Sequence, residues 1–194
     1  MEGILSISSF LDAVASKTPA PGGGAVAGAV GAQGAALATM VVQYSVGKTS
    51  LAAHQPALEA ALERLGAFRA LFERLAAEDA GAYAHYQSIR SSGDADAVAQ
   101  AASTCVDIPR ACLGASCDLL RFLETLPPIT NTHLRSDLAI AAVLAEAAAR
   151  AASWNVGINL GLVPEPDRDA RRDEATTLVA QAKDLATRIE AACV

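Results

Sequence analysis

Pro19-Ala20-Pro21-Gly22-Gly23-Gly24-Ala25-Val26-Ala27-Gly28-Ala29-Val30-Gly31-Ala32 opens a stretch that stays apolar and uncharged to Val42. Two prolines keep its start out of a helix interior, and three glycines leave a backbone with no side chains to hold a ligand away. The residues behind them spell a helix of almost bare surface, starting after Gly24 and reaching about Ser45. Its Gly24-x-x-x-Gly28 row, with Ala32 behind it, and its Gly31-x-x-x-Ala35 row let a second backbone approach closely. No charge occurs between Lys17 and Lys48, so loop and helix read as buried. A glycine turn feeding a helix N-terminus also presents unpaired N–H groups and the positive end of the dipole, an expected anion site.

Outward from this run the chain reads as helices throughout. Ser8 or Ser9 caps a short helix through Phe10, Leu11 and Val14 that ends before Pro19. Leu58, Leu62, Leu65, Phe68, Phe72 and Leu75 mark an amphipathic helix from about Pro56, broken at Ser91-Ser92-Gly93-Asp94. A short helix through Val98 leads to Pro109, and another runs through Leu113, Leu119, Leu120 and Leu123 to Pro127-Pro128. A long helix extends from Ser136-Asp137 to about Leu160, and a last one uses Ala175, Leu178, Ala182, Leu185 and Ile189. No alternating strand pattern of useful length interrupts them. The expected fold is all-α: a single domain over residues 1–194, a bundle of six or so helices with long Ala/Gly-rich buried members.

Composition narrows the partners. A net charge of −6 with no Lys/Arg cluster excludes a nucleic-acid surface. The start Met1-Glu2-Gly3 lacks the positive region of a secretory signal. Gly22–Val42 is long enough to span a bilayer, but Gly and Ala contribute little to insertion, so a central buried helix is the better reading. Cys105, Cys112, Cys117 and Cys193 show neither C-x-x-C spacing nor a His pair, and read as free thiols in a reducing cytoplasm.

A few polar groups fall on apolar faces. Asp79 continues the Leu58–Leu75 stripe four residues past Leu75, with Tyr83 four further on. A carboxylate there is desolvated, its pKa rises, and proton transfer comes within reach. Asp137 and Asn155 stand five helical turns apart and point the same way. Between them Ala141, Ala145, Ala148 and Ala152 suggest a groove floor of minimal side chains, with Asn159 one turn beyond. A carboxylate and two amides can grip a polar heterocycle, while an N-terminal acid stabilised by the dipole is the equal alternative for Asp137. Lys48 stands either beside the glycine loop or as an ordinary C-terminal helix cap. Gly47-Lys48-Thr49 imitates a phosphate-loop ending, but the required earlier glycine is Val42. His54, His85 and His133 have no metal-ligand spacing and no paired nucleophile, so neither a metal nor a Ser-His-Asp site is expected.

Phe10-Leu11-Asp12-x-Val14-Ala15-Ser16-Lys17-x-Pro19-x-Pro21-Gly22-Gly23-Gly24 resembles the opening of the formiminotransferase-cyclodeaminase C-terminal domain family. The likeness continues through Met40-Val41, Gly47-Lys48, Asp79-Ala80-x-Ala82-Tyr83, Val106-x-Ile108-Pro109, Ser136-Asp137-Leu138 and Ala152-x-x-Asn155-Val156-x-Ile158-Asn159. It implies a homodimer with a folate pocket near the subunit interface and chemistry at the one-carbon bridge between N5 and N10, with no cofactor beyond the tetrahydrofolate substrate. Methenyltetrahydrofolate cyclohydrolase is the leading activity. A cyclodeaminase that releases ammonia, a non-catalytic folate or anion binder, and a ligand-free helical dimer are the alternatives. The residues carried over are Asp79 and Asp137 as acid/base groups, with Pro21, Gly22, Gly23, Gly24, Lys48, Asn155 and Asn159 holding the substrate. The chain departs from the family pattern at Ala25, at Gln43-Tyr44-Ser45, at Thr49, at the short Gln87–Asp94 segment and at Thr130-Asn131, where substrate recognition on loops would change.

Overall fold

The computed structural model describes residues 7–194. The start of the chain, where the Met1-Glu2-Gly3 reading falls, lies outside the described residues. Six α-helices follow in order: α1 (Ile7–Ala15), α2 (Gly23–Gln43), α3 (Gln55–Ile89), α4 (Ala95–Leu123), α5 (Arg135–Asn159) and α6 (Glu165–Cys193). Three short 3-10 turns (Thr49–His54, Thr132–Leu134 and Leu160–Leu162) join them, and no strand occurs among the described residues. The expected all-α class is observed. Ser8 and Ser9 lie inside the described span of α1 rather than before it.

α2 packs between α3 and α5. Its small-residue rows act as the close-approach surface their spacing implied. A Cβ on Gly28 would strike the Phe72 carbonyl and Ala76, and one on Gly31 would enter the Phe72 ring. On the other side Gly34 faces the Ala141 carbonyl at a separation that leaves a side chain little room. α2 has the length and hydropathy of a membrane span, but its small residues Gly24, Ala27, Gly28, Gly31, Gly34, Ala35 and Ala38 are buried against neighbouring helices. Phe72, fully buried, fills the gap the glycines leave.

Two expectations are corrected here. The alanines Ala141, Ala145, Ala148 and Ala152 are fully buried in the core, so they form a helix–helix seam and not an open groove. Pro109 does not divide two helices: α4 runs unbroken from Ala95 to Leu123 with Pro109 buried inside it. A proline there removes the N–H that would bond the Cys105 carbonyl one turn earlier. The Asn159 amide, arriving from α5, donates to that carbonyl at 2.7 Å. Tertiary structure thus supplies the donor that the local sequence lacks.

Candidate functional site

Where α2 begins, Pro19 to Gly24 pass under the C-terminal half of α3 and the end of α5. The Ala20–Pro21 peptide is cis. The helix starts with Gly22 as its N-cap, which has no side chain to bond the free N–H groups. Asp79 on α3 fills that role instead, its carboxylate accepting a hydrogen bond from the Ala25 N–H. Gly24 makes the contact possible: a Cβ there would overlap the Asp79 carboxylate. Gly23 serves Asn155 in the same way, its bare Cα set against the Asn155 Oδ1 while Asn155 Nδ2 donates to the Ala151 carbonyl at 3.0 Å.

These residues line a cavity of about 480 Å³. Gly22, Gly23, Gly24, Asp79, Asn155 and Asn159 all border it, with Pro19 and Ala20 at the turn. Pro21 belongs to the same turn but is not itself part of the lining. Tyr83, Tyr86, Gln87 and Arg90 continue the wall along α3, and Ile158 and Leu162 complete the mouth. None of these six was singled out as a site residue, although the three-to-four spacing that marked Asp79 carries on to Tyr83, Tyr86 and Arg90.

Burial dominates the electrostatics of Asp79. Desolvation raises its pKa above the ordinary value of 3.8, partly opposed by the Ala25 N–H bond that favours the charged form. The positive end of α2 is therefore occupied by the chain's own carboxylate. The expectation of an anion site in the glycine loop is corrected accordingly: a group entering the loop meets an acceptor, which favours hydrogen-bond donors and cations. Cys112 is pushed up to about 12 by burial, with the Asp79 charge adding to the effect. Cys105 is raised by the same two causes. Both thiols stay protonated at neutral pH, so neither is a ready nucleophile.

Asp137 and Lys48 are not in this cavity. Asp137 stands at the N-terminal end of α5, about 27 Å along the axis from Asn155 at 1.5 Å per residue. α2 and α5 run antiparallel, so Lys48 lies at that same far end. There it lines a separate hollow of about 340 Å³ with Ser50, Leu51, Thr130, Asn131, Thr132 and His133. Five helical turns align Asp137 and Asn155 in direction, but also separate them beyond any shared small-molecule pocket within one chain. Among the described residues no group of three or more His, Cys, Asp or Glu side chains is arranged to hold a metal ion.

The site is thus a side-chain-free turn closed under a desolvated carboxylate at one end of an all-helical bundle. A family model described as formiminotransferase-cyclodeaminase matches residues 6–177. A methenyltetrahydrofolate cyclohydrolase of Methylorubrum extorquens is 32% identical, over 97% of this chain and 96% of its own length. The formimidoyltransferase-cyclodeaminase of Sus scrofa is 30% identical over 93% of this chain, which spans 35% of that protein. The crystal structure of a formiminotetrahydrofolate cyclodeaminase from Thermotoga maritima superposes with a TM-score of 0.90 at 29% identity, covering 97% of this chain and 95% of that one. The chain belongs to the formiminotransferase-cyclodeaminase family.

Proposed function

We propose that this protein is a methenyltetrahydrofolate cyclohydrolase, adding water to the one-carbon bridge of 5,10-methenyltetrahydrofolate to give 10-formyltetrahydrofolate. The observation that carries this reading is the Asp79 carboxylate, desolvated and held over the bare backbone of Gly24 at the cavity floor. The methenyl bridge is a delocalised cation, and a partly desolvated carboxylate set beside it stabilises that charge. Hydrolysis needs a base to take one proton from water as its oxygen attacks the bridge carbon, an acid to give a proton to N5 as the carbon–N5 bond breaks, and loss of the remaining hydroxyl proton to solvent as the formyl C=O forms, so that one proton is released per turnover. One carboxyl group with a raised pKa serves as that base and then as that acid. Asn155 and Tyr83 border the same cavity and offer partners for the pterin edge, and the Arg90 guanidinium at its rim suits the carboxylates of the substrate's glutamate tail. The near full-length match to the Methylorubrum cyclohydrolase supports water over ammonia chemistry. The four free thiols suit a reducing cytoplasm, and a homodimer is the proposed assembly. The test is the decay of the methenyl absorbance on adding purified protein. A first-order decay that scales with enzyme concentration is expected, and a rate equal to the buffer control would sink the reading. Ammonia release from the formimino derivative, measured in parallel, distinguishes the cyclodeaminase alternative.

A further inference from the structure

Pro109 and Asn159 bear on the cavity as well as on the fold. The proline leaves the Cys105 carbonyl without its helical partner, and the Asn159 side chain donates to it from α5 at 2.7 Å. A carbonyl oxygen only accepts, so the end of the Asn159 amide that faces it is Nδ2, and Oδ1 is turned the other way. Asn159 borders the cavity, and its Oδ1 is neither hydrogen-bonded to the described residues nor buried, so the oxygen stands open there. Asn155 repeats the arrangement: Nδ2 donates to the Ala151 carbonyl at 3.0 Å, and Oδ1 lies against the bare Gly23 backbone. Together with the Asp79 carboxylate, the polar side chains where α2, α3 and α5 meet therefore present oxygens to the cavity.

Oxygens select N–H donors, and the order of the side chains says which donors. Asn155 packs on Gly23, next to Gly24 and so to Asp79. Asn159 stands one turn further along α5, about 6 Å at 1.5 Å per residue. With the one-carbon bridge set beside Asp79, as in the folate reading on which this step rests, the far end of the pterin falls to Asn159. That end carries two donors, the 2-amino group and N3–H. We infer that Asn159 Oδ1 accepts from the 2-amino group and sets the preference of the pocket for a 2-amino ring. Pro109, buried in α4 and outside the cavity lining, is the positioning residue that holds this oxygen in place.

An asparagine alone discriminates weakly, because a half-turn of its amide exchanges donor for acceptor. The Cys105 carbonyl removes that freedom at Asn159: turning the amide would set oxygen against oxygen and leave a carbonyl unpaired. Alanine at position 109 would return a helical N–H to that carbonyl. The Asn159 amide would then turn to suit either kind of ring. A purely structural proline changes stability alone, whereas a positioning proline changes ligand preference.

The probes are tetrahydrofolate and its 2-deamino-2-oxo analogue, in which an acceptor replaces the 2-amino donor. Wild type should bind tetrahydrofolate at least about tenfold more tightly, because the wrong ligand leaves an oxygen of the site unpaired. In Pro109→Ala the ratio should fall to under about threefold, chiefly because the oxo analogue binds better, a gain that lost stability does not produce. P109A/N159D should recover the wild-type ratio, since the new carboxylate only accepts and the Cys105 carbonyl no longer needs a donor from α5. An unchanged ratio in Pro109→Ala, or a wild type that binds both ligands alike, would overturn the inference. Exchange protection of the Asn159 side-chain amide, followed by heteronuclear NMR, reads the positioning with no ligand present. It should be protected in wild type and exchange freely in Pro109→Ala; equal protection in the two would also overturn the inference. Wild type that binds neither probe, with protection still lost in Pro109→Ala, would sink the folate reading and the 2-amino assignment with it, while supporting the hold of Pro109 on Asn159.

Discussion

Asp79 and Gly24 form one functional unit, because the carboxylate occupies the space a side chain at position 24 would take. Asp79→Asn keeps the shape and the Ala25 contact while removing the charge. It should lower turnover at least about a hundredfold, the typical worth of a positioned acid/base group, with helical circular dichroism unchanged. Its stability should move the other way. With a native pKa above 3.8, the folded state keeps the Asp79 proton over a range where the unfolded chain has lost it. Wild-type stability relative to the variant should therefore fall as pH rises from 3.8 to the raised value, and level off above it. Urea denaturation across this range checks the prediction, and a difference that grows in favour of wild type with rising pH would contradict it. Gly24→Ala should displace the carboxylate, costing about 1–3 kcal/mol of overpacking and most of the activity. Asp79 was legible in the sequence because its helical phase put a charge on an apolar stripe. Its partner at Gly24 was not, since which side chain covers a bare backbone depends on how two helices cross.

At the scale of helices, Pro109 and Asn159 show a local rule overridden by a distant donor. The proline reads as a boundary because it cannot bond the Cys105 carbonyl, and α4 continues only because Asn159 does so from α5. Asn159→Leu should leave that carbonyl unpaired, at a cost of about 1–3 kcal/mol for a buried group. On a Pro109→Ala background the restored N–H should reduce the cost of the same substitution to under about 1 kcal/mol. A double-mutant cycle by chemical denaturation measures the coupling, and strictly additive effects would refute it. Asn159 is thus a structural tie as well as pocket lining, with its amide donor already committed. Phe72, the wedge between the glycines of α2, should cost about 3–5 kcal/mol when truncated to alanine, because the backbones it separates cannot close on the void.

For the whole molecule, the exposed apolar stripe of α5, Ile140, Val143, Trp154 and Ile158, is the feature with the widest consequences. Glu146→Arg breaks the 3.0 Å pair with Arg150 and sets like charges one turn apart on α5, which should cost about 0.5–1 kcal/mol, while E146R/R150E should restore the pair, as urea denaturation of the two variants checks. Trp154 is the only tryptophan in the chain and lies on this surface. In the proposed homodimer this side chain is covered, so its emission should shift to the red on dilution as sedimentation reports dissociation; emission that does not change with oligomeric state would count against a dimer formed on this face. The sequence by itself determined the helical class, the close-packed α2 and the glycine turn. These follow from propensity, from spacings of three and four residues, and from the absence of side chains, all of which are local properties. Helical phase also marked Asp79, Asp137, Asn155 and Asn159 as polar groups on apolar faces, because it separates a buried direction from an exposed one, and of these Asp79, Asn155 and Asn159 line one cavity. Tertiary structure decided which of the marked residues meet. It placed Asp137 and Lys48 at the far end of the bundle, closed the alanine row into a seam, and filled the positive end of α2 with a carboxylate. Phase gives the direction of a side chain but not its distance along the axis or what crosses above it, and those depend on how the helices pack.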